Sequence, residues 1–349
     1  MRRRLGVAII GAGLVGSKRA RAITAAGGRV AIVIDADASR ASALAAEMRA
    51  RSGVGWTAAV APDVDAVVVA TPHHLLYPAT RVALEAGRHV LCEKPLATRV
   101  KDAQHLVDIA AERKLVLKTG FNHRHHPAVA RAHERLPEIG RPIFARCRYG
   151  HGGRPGYEHE WRGRPELSGG GELLDQGIHA IDLFRWFLGE IATVQGMTMT
   201  AVWPVAPLED NAFAMIETEG GAIASLHASW TQWQNLFTFE VYGEAASLAV
   251  EGLGGSYGEE RLVVTRRRPG QTPAQEEERF PGPDGSWAAE WAEFESAIAE
   301  RREPIGSGTD GLAALRAVRA IYRAAAERRA VRLEEEEATD AEGTARLSA

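Results

Sequence analysis

The feature that most constrains this chain is a glycine-rich hexapeptide, GAGLVG, at residues 11–16. It directly follows an apolar run at residues 5–10 and opens a segment of helical composition at residues 15–26. In such a turn the first glycine allows the tight bend, the second lets a pyrophosphate approach the backbone, and the third lets the helix pack against the strand. The N–H groups at the helix start favour an anion. The hexapeptide therefore predicts a dinucleotide site.

Strand and helix patterns alternate through the first 120 residues. We predict strands at residues 5–10, 29–35, 65–71, 89–92 and 115–119. We predict helices at residues 15–26, 39–50, 74–86 and 100–113. Apolar strands separated by helices of this length are typical of a parallel sheet with right-handed crossovers. We therefore expect an α/β domain with a doubly wound parallel sheet at residues 1–122.

The rest of the chain has a different pattern. We predict strands at residues 143–149, 194–202, 212–217, 222–230, 237–242 and 262–266, and helices at residues 172–188, 287–301 and 312–329. Turn residues such as those at 219–221 favour antiparallel hairpins. We therefore expect an α+β domain at residues 123–333. The glutamate-rich segment 334–349 predicts a disordered acidic tail, with a docking tail as the alternative.

Composition excludes several classes of protein. The formal net charge of the 349 residues is −3, so no positive field is available to hold nucleic acid or anionic lipid. No apolar run is long enough to span a membrane, and the N-terminus has no signal-peptide pattern. The two cysteines, Cys92 and Cys147, match no metal-ligand spacing. We expect a cytoplasmic protein with neither nucleic-acid nor membrane partners.

Polar residues at the ends of the predicted parallel strands complete the dinucleotide site. Asp35 ends the second strand, where its carboxylate can accept hydrogen bonds from the adenosine ribose hydroxyls. The same charge would repel a 2′-phosphate, so we predict NAD in preference to NADP, with Arg40 as the residue that leaves NADP open. The expected cofactor-binding residues are Gly11, Ala12, Gly13, Leu14, Val15, Asp35, Arg40, Thr71, Pro72, His73, Glu93 and Lys94.

Lys94 is the first candidate for chemistry. It lies in the Glu93-Lys94-Pro95 segment that ends the predicted strand at residues 89–92. Only five of the 42 basic residues are lysine, yet lysine occurs here. A partly buried lysine can lose its proton, whereas arginine effectively cannot. A lysine placed in a loop by chance is the alternative.

A second candidate is the predicted helix at residues 172–188, which follows three glycines. Asp175, His179 and Asp182 fall on one face of that helix. A polar stripe on an otherwise apolar helix requires partners or a wet cleft. The imidazole of His179 suits proton transfer at neutral pH, and Asp175 could orient it or bind a substrate hydroxyl. A histidine bonded to its own helix is the alternative.

Taken together, the GAGLVG turn, the EKP segment and the pattern G-G-G-x-L-x-D-x-G-x-H-x-x-D at residues 169–182 resemble the Gfo/Idh/MocA family of oxidoreductases. The resemblance implies a Rossmann domain, a C-terminal domain with a large open sheet that is mainly antiparallel, and a tightly held NAD(P). It implies catalytic roles for Lys94, Asp175 and His179. It also implies that the segment at residues 120–124 lines the site, which adds Asn122 to the cofactor set and Arg124 to the substrate set. Leu76 departs from the family, whose members often have a histidine at this position.

The resemblance implies hydride transfer between a secondary sugar hydroxyl and the nicotinamide. The segment at residues 152–162 looks like that of members that oxidise C3 of sugars in amino-sugar or aminoglycoside pathways. A polyol dehydrogenase of the inositol type, an NAD-dependent glycosidase and a non-catalytic NAD-bound sensor remain alternatives. The expected substrate residues are Arg124, Tyr157, Trp161, Arg162, Asp175 and His179.

The residues leave the charge of the substrate open. Arginines at positions 154, 162 and 164 could bind a phosphate, and the glutamates interleaved with them could bind an amino sugar. The histidines at positions 123, 125 and 126 fit no compact ligand set, so we expect no metal. We expect a homodimer or homotetramer formed through the C-terminal sheet, because an open sheet face needs cover.

Overall fold

The computed structural model of the chain describes residues 4–334, which form two compact units. The first unit contains the described residues up to Asn122 together with Ser286–Leu312. The second contains His123–Gly285 and the described residues from Ala313 onward. The expected second domain ran without interruption from 123 to 333, whereas Ser286–Leu312 belong to the first unit. Of the acidic tail expected at residues 334–349, only Glu334 lies within the described residues.

Strands and helices of the described residues are numbered in chain order. The strands are β1 (Gly6–Ile10), β2 (Arg29–Ile34), β3 (Arg51–Gly53), β4 (Ala66–Val69), β5 (His89–Cys92), β6 (Leu117–Thr119), β7 (Pro142–Gly150), β8 (Ile191–Met199), β9 (Asn211–Thr218), β10 (Ile223–Ser229), β11 (Leu236–Gly243), β12 (Ala246–Glu251), β13 (Glu260–Arg266), β14 (Ala274–Phe280) and β15 (Val331–Arg332). The α-helices are α1 (Leu14–Ala25), α2 (Ala38–Met48), α3 (His73–Glu85), α4 (Val100–Arg113), α5 (Pro127–Glu134), α6 (Pro165–Ser168), α7 (Ile178–Leu188), α8 (Ser286–Glu300) and α9 (Gly308–Glu327).

The first unit is built on a parallel sheet of six strands in the order β3-β2-β1-β4-β5-β6. Strands β1 and β4 are buried along their whole length, as their apolar runs require. The predicted doubly wound fold is confirmed, with the expected strands and helices close to their predicted bounds. The short strand β3 was not predicted, because its three residues at the sheet edge are partly or fully exposed and carry no apolar pattern.

Helix α8 belongs to the first unit because of its apolar face. Trp291, Phe294 and Ala297 are buried in the same core cluster as residues of β1 and α1, including Val7 and Ile23. Their place in the sequence, after the second sheet, gives no indication of this packing. No helix within residues 4–334 is long and apolar enough to cross a membrane.

The second unit is built on a sheet of nine strands in the order β14-β13-β12-β11-β7-β10-β9-β8-β15. The neighbouring strands are antiparallel except β7 and β10, which are parallel. Their carboxyl ends therefore meet at one edge of the sheet. The predicted large, mainly antiparallel sheet is confirmed.

Five elements of the second unit were not predicted: α5, α6, β12, β14 and β15. Strand β14 pairs with β13 along its whole length at the sheet edge, but its run Glu276-Glu277-Glu278 has no apolar alternation. Arg135 of the α5 C-cap binds Glu276 at 2.9 Å and Glu278 at 2.6 Å. Strand β12 does alternate, with Ala246, Leu248 and Val250 buried, so its pattern was present in the sequence and was overlooked.

A buried network of charges joins four elements of the first unit. The Arg19 guanidinium of α1 binds Glu93, with Nε 2.8 Å from Oε1, and also binds Glu290 of α8. Lys118 of β6 binds Glu293 of α8 at 3.3 Å. Arg19, Lys118 and Glu290 are almost completely buried, so each charge depends on its partners. The network fixes the end of β5 to α1 and α8.

We predict that Arg19→Met destabilises the folded protein by about 3–5 kcal/mol, because it removes the cation that two buried carboxylates share. Urea unfolding measures the change. Arg21→Met is the matched control, because Arg21 makes an exposed ion pair with Glu47 and its loss should change stability little. Equal stability of the two variants would contradict a structural role for the buried network.

Candidate active site

The expected cofactor-binding residues of the first unit lie at the carboxyl ends of parallel strands. They are found in the loops after β1, β2, β4, β5 and β6 or at the first residues of the helices that follow. Because the strands are parallel, these loops share one edge of the sheet. The strand order reverses between β1 and β4, which is where ligands bind in sheets of this kind.

The glycine turn after β1 is shaped by backbone contacts. Gly11 has φ +100°, and a Cβ there would lie 2.4 Å from the carbonyl oxygen of Ala70. A Cβ on Gly16 would lie 1.8 Å from the carbonyl oxygen of Gly11. By contrast, a Cβ on Gly13 would meet no atom within 4 Å. Gly13 also begins α1 without a side-chain cap, so the helix start offers open space and N–H donors to a pyrophosphate.

Asp35 links the second strand to this turn. Its Oδ2 accepts a hydrogen bond from the N–H of Ala12 at 2.7 Å, and its Oδ1 accepts one from the N–H of Asp37 at 2.9 Å. Each oxygen keeps a second acceptor position that a ribose hydroxyl can use. Arg40 is exposed, and its Nε lies 3.3 Å from Oδ2 of Asp37. The residues present therefore fit the adenosine end of a dinucleotide.

Other residues of the cofactor set are partly engaged within the first unit. Glu93 is held by Arg19, and Lys94 precedes Pro95 through a cis peptide bond. Asn122 donates a hydrogen bond from Nδ2 to Oγ of Ser286 at 3.0 Å.

The segment Thr71–Pro72 connects β4 to α3. His73, the first residue of α3, is buried, as is Leu76, the residue at the position where the family often has histidine. The Nδ1 atom of His74 is buried and has no hydrogen-bond partner among the described residues.

We predict that Gly13→Ala preserves the fold and weakens NADH binding about tenfold, because the added methyl group occupies only the space open to the phosphates. Gly16→Ala should instead lower the melting temperature, since its Cβ would overlap the Gly11 carbonyl. NADH fluorescence titration and thermal unfolding of both variants separate the two effects. A Gly13→Ala protein with wild-type NADH affinity would contradict the assigned cradle.

The chemical candidates of the second unit lie on the segment that begins with the three glycines. Its first turn, Leu173–Gly177, is a π turn, and α7 continues from Ile178. The single α-helix predicted at residues 172–188 was therefore wrong for its first turn. Asp175 lies in the π turn and His179 in the first turn of α7, and both are buried. A π turn inside a helix is frequent at functional sites.

Glu209, in the loop between β8 and β9, holds the start of this segment. Its Oε1 accepts hydrogen bonds from the N–H of Leu173 at 3.0 Å and from the hydroxyl of Tyr322 at 2.7 Å. Its Oε2 accepts one from the N–H of Gly171 at 3.1 Å. The carboxylate thus satisfies donors that the helix start leaves open. Sequence analysis missed Glu209, because a cap supplied from another element has no local pattern.

Glu209 gives a pH dependence of stability. Burial raises its pKa above the ordinary value, although its hydrogen bonds oppose part of that rise. A carboxyl whose pKa rises on folding contributes stability that is complete below the unfolded-state pKa, about 4.3, and is lost as the pH passes the folded-state pKa. We predict that the stability of wild type relative to Glu209→Gln falls as the pH rises from about 4.3 and then levels off. Urea unfolding across pH measures this, and a difference independent of pH would contradict it.

Asp175 is held by Arg162. The Nε of Arg162 lies 2.8 Å from Oδ2 of Asp175, and the guanidinium also lies over the ring of Trp161, 4.4 Å from its centre. The charge of Asp175 is the main cause of the raised pKa of Arg162. Three of the expected substrate residues are therefore brought together, with Arg162 compensating the charge of Asp175.

His179 is stacked on His123. The two ring centres are 3.8 Å apart and their planes differ by 22°, and the ring of Tyr149 meets His123 edge-on at 5.2 Å. His126 is bonded to Glu260, with 2.7 Å between Nδ1 and Oε1. Within residues 4–334 no group of three or more histidine, cysteine or acidic side chains is placed to hold a metal ion. His123 and His126 have these packing and hydrogen-bonding contacts instead.

Two other expected substrate residues are packed inside the second unit. Arg124 forms a buried pair with Asp182 through two hydrogen bonds of 2.8 and 2.6 Å. Tyr157 is 3% exposed and packs against Trp230, with ring centres 4.7 Å apart. Asp182, the third polar residue predicted on the helix face, therefore pairs with Arg124.

A parallel sheet of this strand order with an open glycine turn after its first strand is the fold of a dinucleotide-binding protein. Residues 5–121 match the oxidoreductase family with an NAD-binding Rossmann fold, and residues 130–249 match the GFO/IDH/MocA C-terminal domain. The chain therefore belongs to the Gfo/Idh/MocA family, and the resemblance found from its motifs is confirmed.

Known members with similar chains act on sugars. A 1,5-anhydro-D-fructose reductase of Ensifer adhaerens is 33% identical over 90% of this chain and 93% of its own length. A UDP-N-acetylglucosamine 3-dehydrogenase of Acidithiobacillus ferrooxidans is 30% identical over 87% of this chain and 91% of its own. The solved structure of levoglucosan dehydrogenase in complex with NADH has a TM-score of 0.88 and 25% identity, and covers 95% of this chain and 99% of that chain.

Proposed function

We propose that this protein is an NAD-dependent dehydrogenase that oxidises a secondary ring hydroxyl of a sugar to a ketone, or catalyses the reverse reaction. The observation that carries the proposal is the burial of Asp175 in the π turn and of His179 in the first turn of α7, in a chain whose other unit has the open glycine turn. Arg162 holds the carboxylate and His123 supports the imidazole. The named relatives, which act on sugar substrates, support this class of reaction.

NAD is preferred to NADP in this proposal. The Asp35 carboxylate already accepts the N–H of Ala12, which fixes it beside the glycine turn. A 2′-phosphate at the adenosine ribose would therefore meet a negative charge, which is unfavourable. The Arg40 side chain lies against Asp37, whose charge compensates it.

The residues of this chain handle the proton. When bound, NAD accepts the hydride of the carbinol carbon, so the hydroxyl proton is left for the protein to remove. His179 is proposed as the general base that takes it, and the Lys94 ammonium as the donor that stabilises the developing oxyanion. Asp175 is proposed to orient the imidazole and to accept a substrate hydroxyl.

C3 is the proposed position of oxidation. The support is the similarity to a UDP-N-acetylglucosamine 3-dehydrogenase over most of both chains. A 3-keto sugar is a suitable substrate for transamination, so the proposed product is one that an aminotransferase can consume in an amino-sugar or aminoglycoside pathway.

A homodimer or homotetramer is proposed to form through the second sheet. The side chains of Met197, Phe213, Met215 and Ile223 are exposed on β8, β9 and β10. An apolar surface of this kind on a sheet is typical of an interface between protein chains.

We predict that His179→Asn keeps its NADH affinity and loses roughly a hundred- to ten-thousand-fold in kcat, because general-base help is worth that much. NADH formation with a panel of sugars measures turnover, and NMR of the product gives the position oxidised. His159→Asn is the matched control, since the His159 side chain is 84% exposed and should not affect turnover. Unchanged turnover in His179→Asn would remove His179 from the proposed role.

A further inference from the structure

We infer that the substrate is a carbohydrate without a phosphate or nucleotide group. The inference rests on the proposed function and narrows its substrate class. The segment that follows β7, residues 151–168, leads to the three glycines and the π turn that carries Asp175. Its arginines are the groups that could bind a phosphate, so their partners decide the question.

Each arginine between residues 151 and 182 has a carboxylate partner. Arg154 binds Glu160 through two hydrogen bonds of 2.7 Å each, and Arg162 binds Asp175 at 2.8 Å. The Nε of Arg164 lies 2.9 Å from Oε1 of Glu166. The three arginines and the three glutamates of residues 151–168 balance, so this segment offers no net positive charge.

The pairing of Arg154 with Glu160 is the one that matters most for a phosphate. Glu160 occupies the Nε and Nη2 donors of Arg154, so a phosphate could bind that edge of the guanidinium in a bidentate manner only by displacing Glu160. The displaced carboxylate would remain near the incoming anion. Because the attraction to the arginine and the repulsion from the glutamate act over similar distances, they largely cancel. Such a pair tolerates a neutral or cationic substrate better than an anionic one.

The arginines that precede the segment in the chain, Arg124, Arg146 and Arg148, do not change this balance. Arg124 is committed to Asp182 in a buried pair. Arg146 and Arg148 alternate along β7 with the buried residues Cys147 and Tyr149, so they lie on the opposite face of the sheet from Tyr149.

The same edge of the sheet offers an aromatic surface. Trp233, in the loop after β10, is 68% exposed, and its backbone lies against Gly152 of the segment after β7. It has φ +58°, a conformation that is uncommon for a bulky residue. An exposed aromatic ring suits the apolar face of a sugar ring and needs no charge on the ligand.

The test is turnover of sugars with and without a phosphate or nucleotide group. We would measure kcat/KM with NAD for glucose and glucose 6-phosphate, and for N-acetylglucosamine and UDP-N-acetylglucosamine. We expect wild type to prefer the free sugar at least about a hundredfold. Glu160→Gln should raise kcat/KM for the phosphorylated member about tenfold, because it releases Arg154, and should change the free sugar less than about twofold.

Glu244→Gln is the matched control. Glu244 pairs with exposed Arg141 at 2.9 Å. Arg141 comes just before β7, so this pair lies at the opposite end of that strand from Arg154. Glu244→Gln makes the same change of charge and should leave kcat/KM unchanged for both sugars of each pair. A wild-type preference for the phosphorylated sugar would overturn the inference and leave the proposed function standing. An unchanged kcat/KM for the phosphorylated sugar in Glu160→Gln would have the same consequence. Bound NADH with no turnover of any sugar would overturn both.

Discussion

The first unit depends on the compensation of one buried cation. Arg19 cannot be placed in the interior without acidic partners, and its partners come from segments far apart in sequence, Glu93 after β5 and Glu290 in α8. The ion pair with Glu290 therefore adds to the apolar packing of Trp291 and Phe294 that holds α8 in the first unit. It also fixes the residue immediately before Lys94. The position of Lys94 therefore depends on the Arg19–Glu93 ion pair, which has no part in the proposed reaction.

The second unit positions its candidate groups by a different principle. Glu209 satisfies the N–H groups at the start of the π turn, Arg162 compensates Asp175, and His123 supports the ring of His179. The first contact restrains the backbone of the turn, the second the carboxylate of Asp175, and the third the plane of the His179 imidazole. Groups held in this way need little reorganisation when a substrate binds.

Much of the first unit could be predicted because its signals are local. The valine and isoleucine runs of β1, β2 and β4 indicate buried strands, and the glycine spacing indicates the turn between β1 and α1. The second sheet was predicted in outline, but β14 was missed because charge pairs with Arg135 take the place of an apolar pattern.

The candidate site shows the same limit. The sequence identified Asp175 and His179 from their spacing, yet it could not give the π turn or the cap by Glu209, which depend on contacts with other elements. Nor could composition tell whether Arg162 was free to bind a phosphate, because its pairing with Asp175 forms only in the fold.

The parallel pairing of β7 and β10 within an antiparallel sheet has a consequence for how this enzyme can diversify. The connection that leaves β7 leads to the π turn with the candidate residue Asp175, and at Gly152 it lies against Trp233 of the connection that leaves β10. Neither connection belongs to the paired strands that set the register. Insertions or replacements in these connections would leave the strand register intact. The connection after β7 also carries Arg162, the partner of Asp175, so a change in which sugar is recognised and a change in reactivity are coupled traits that evolve together.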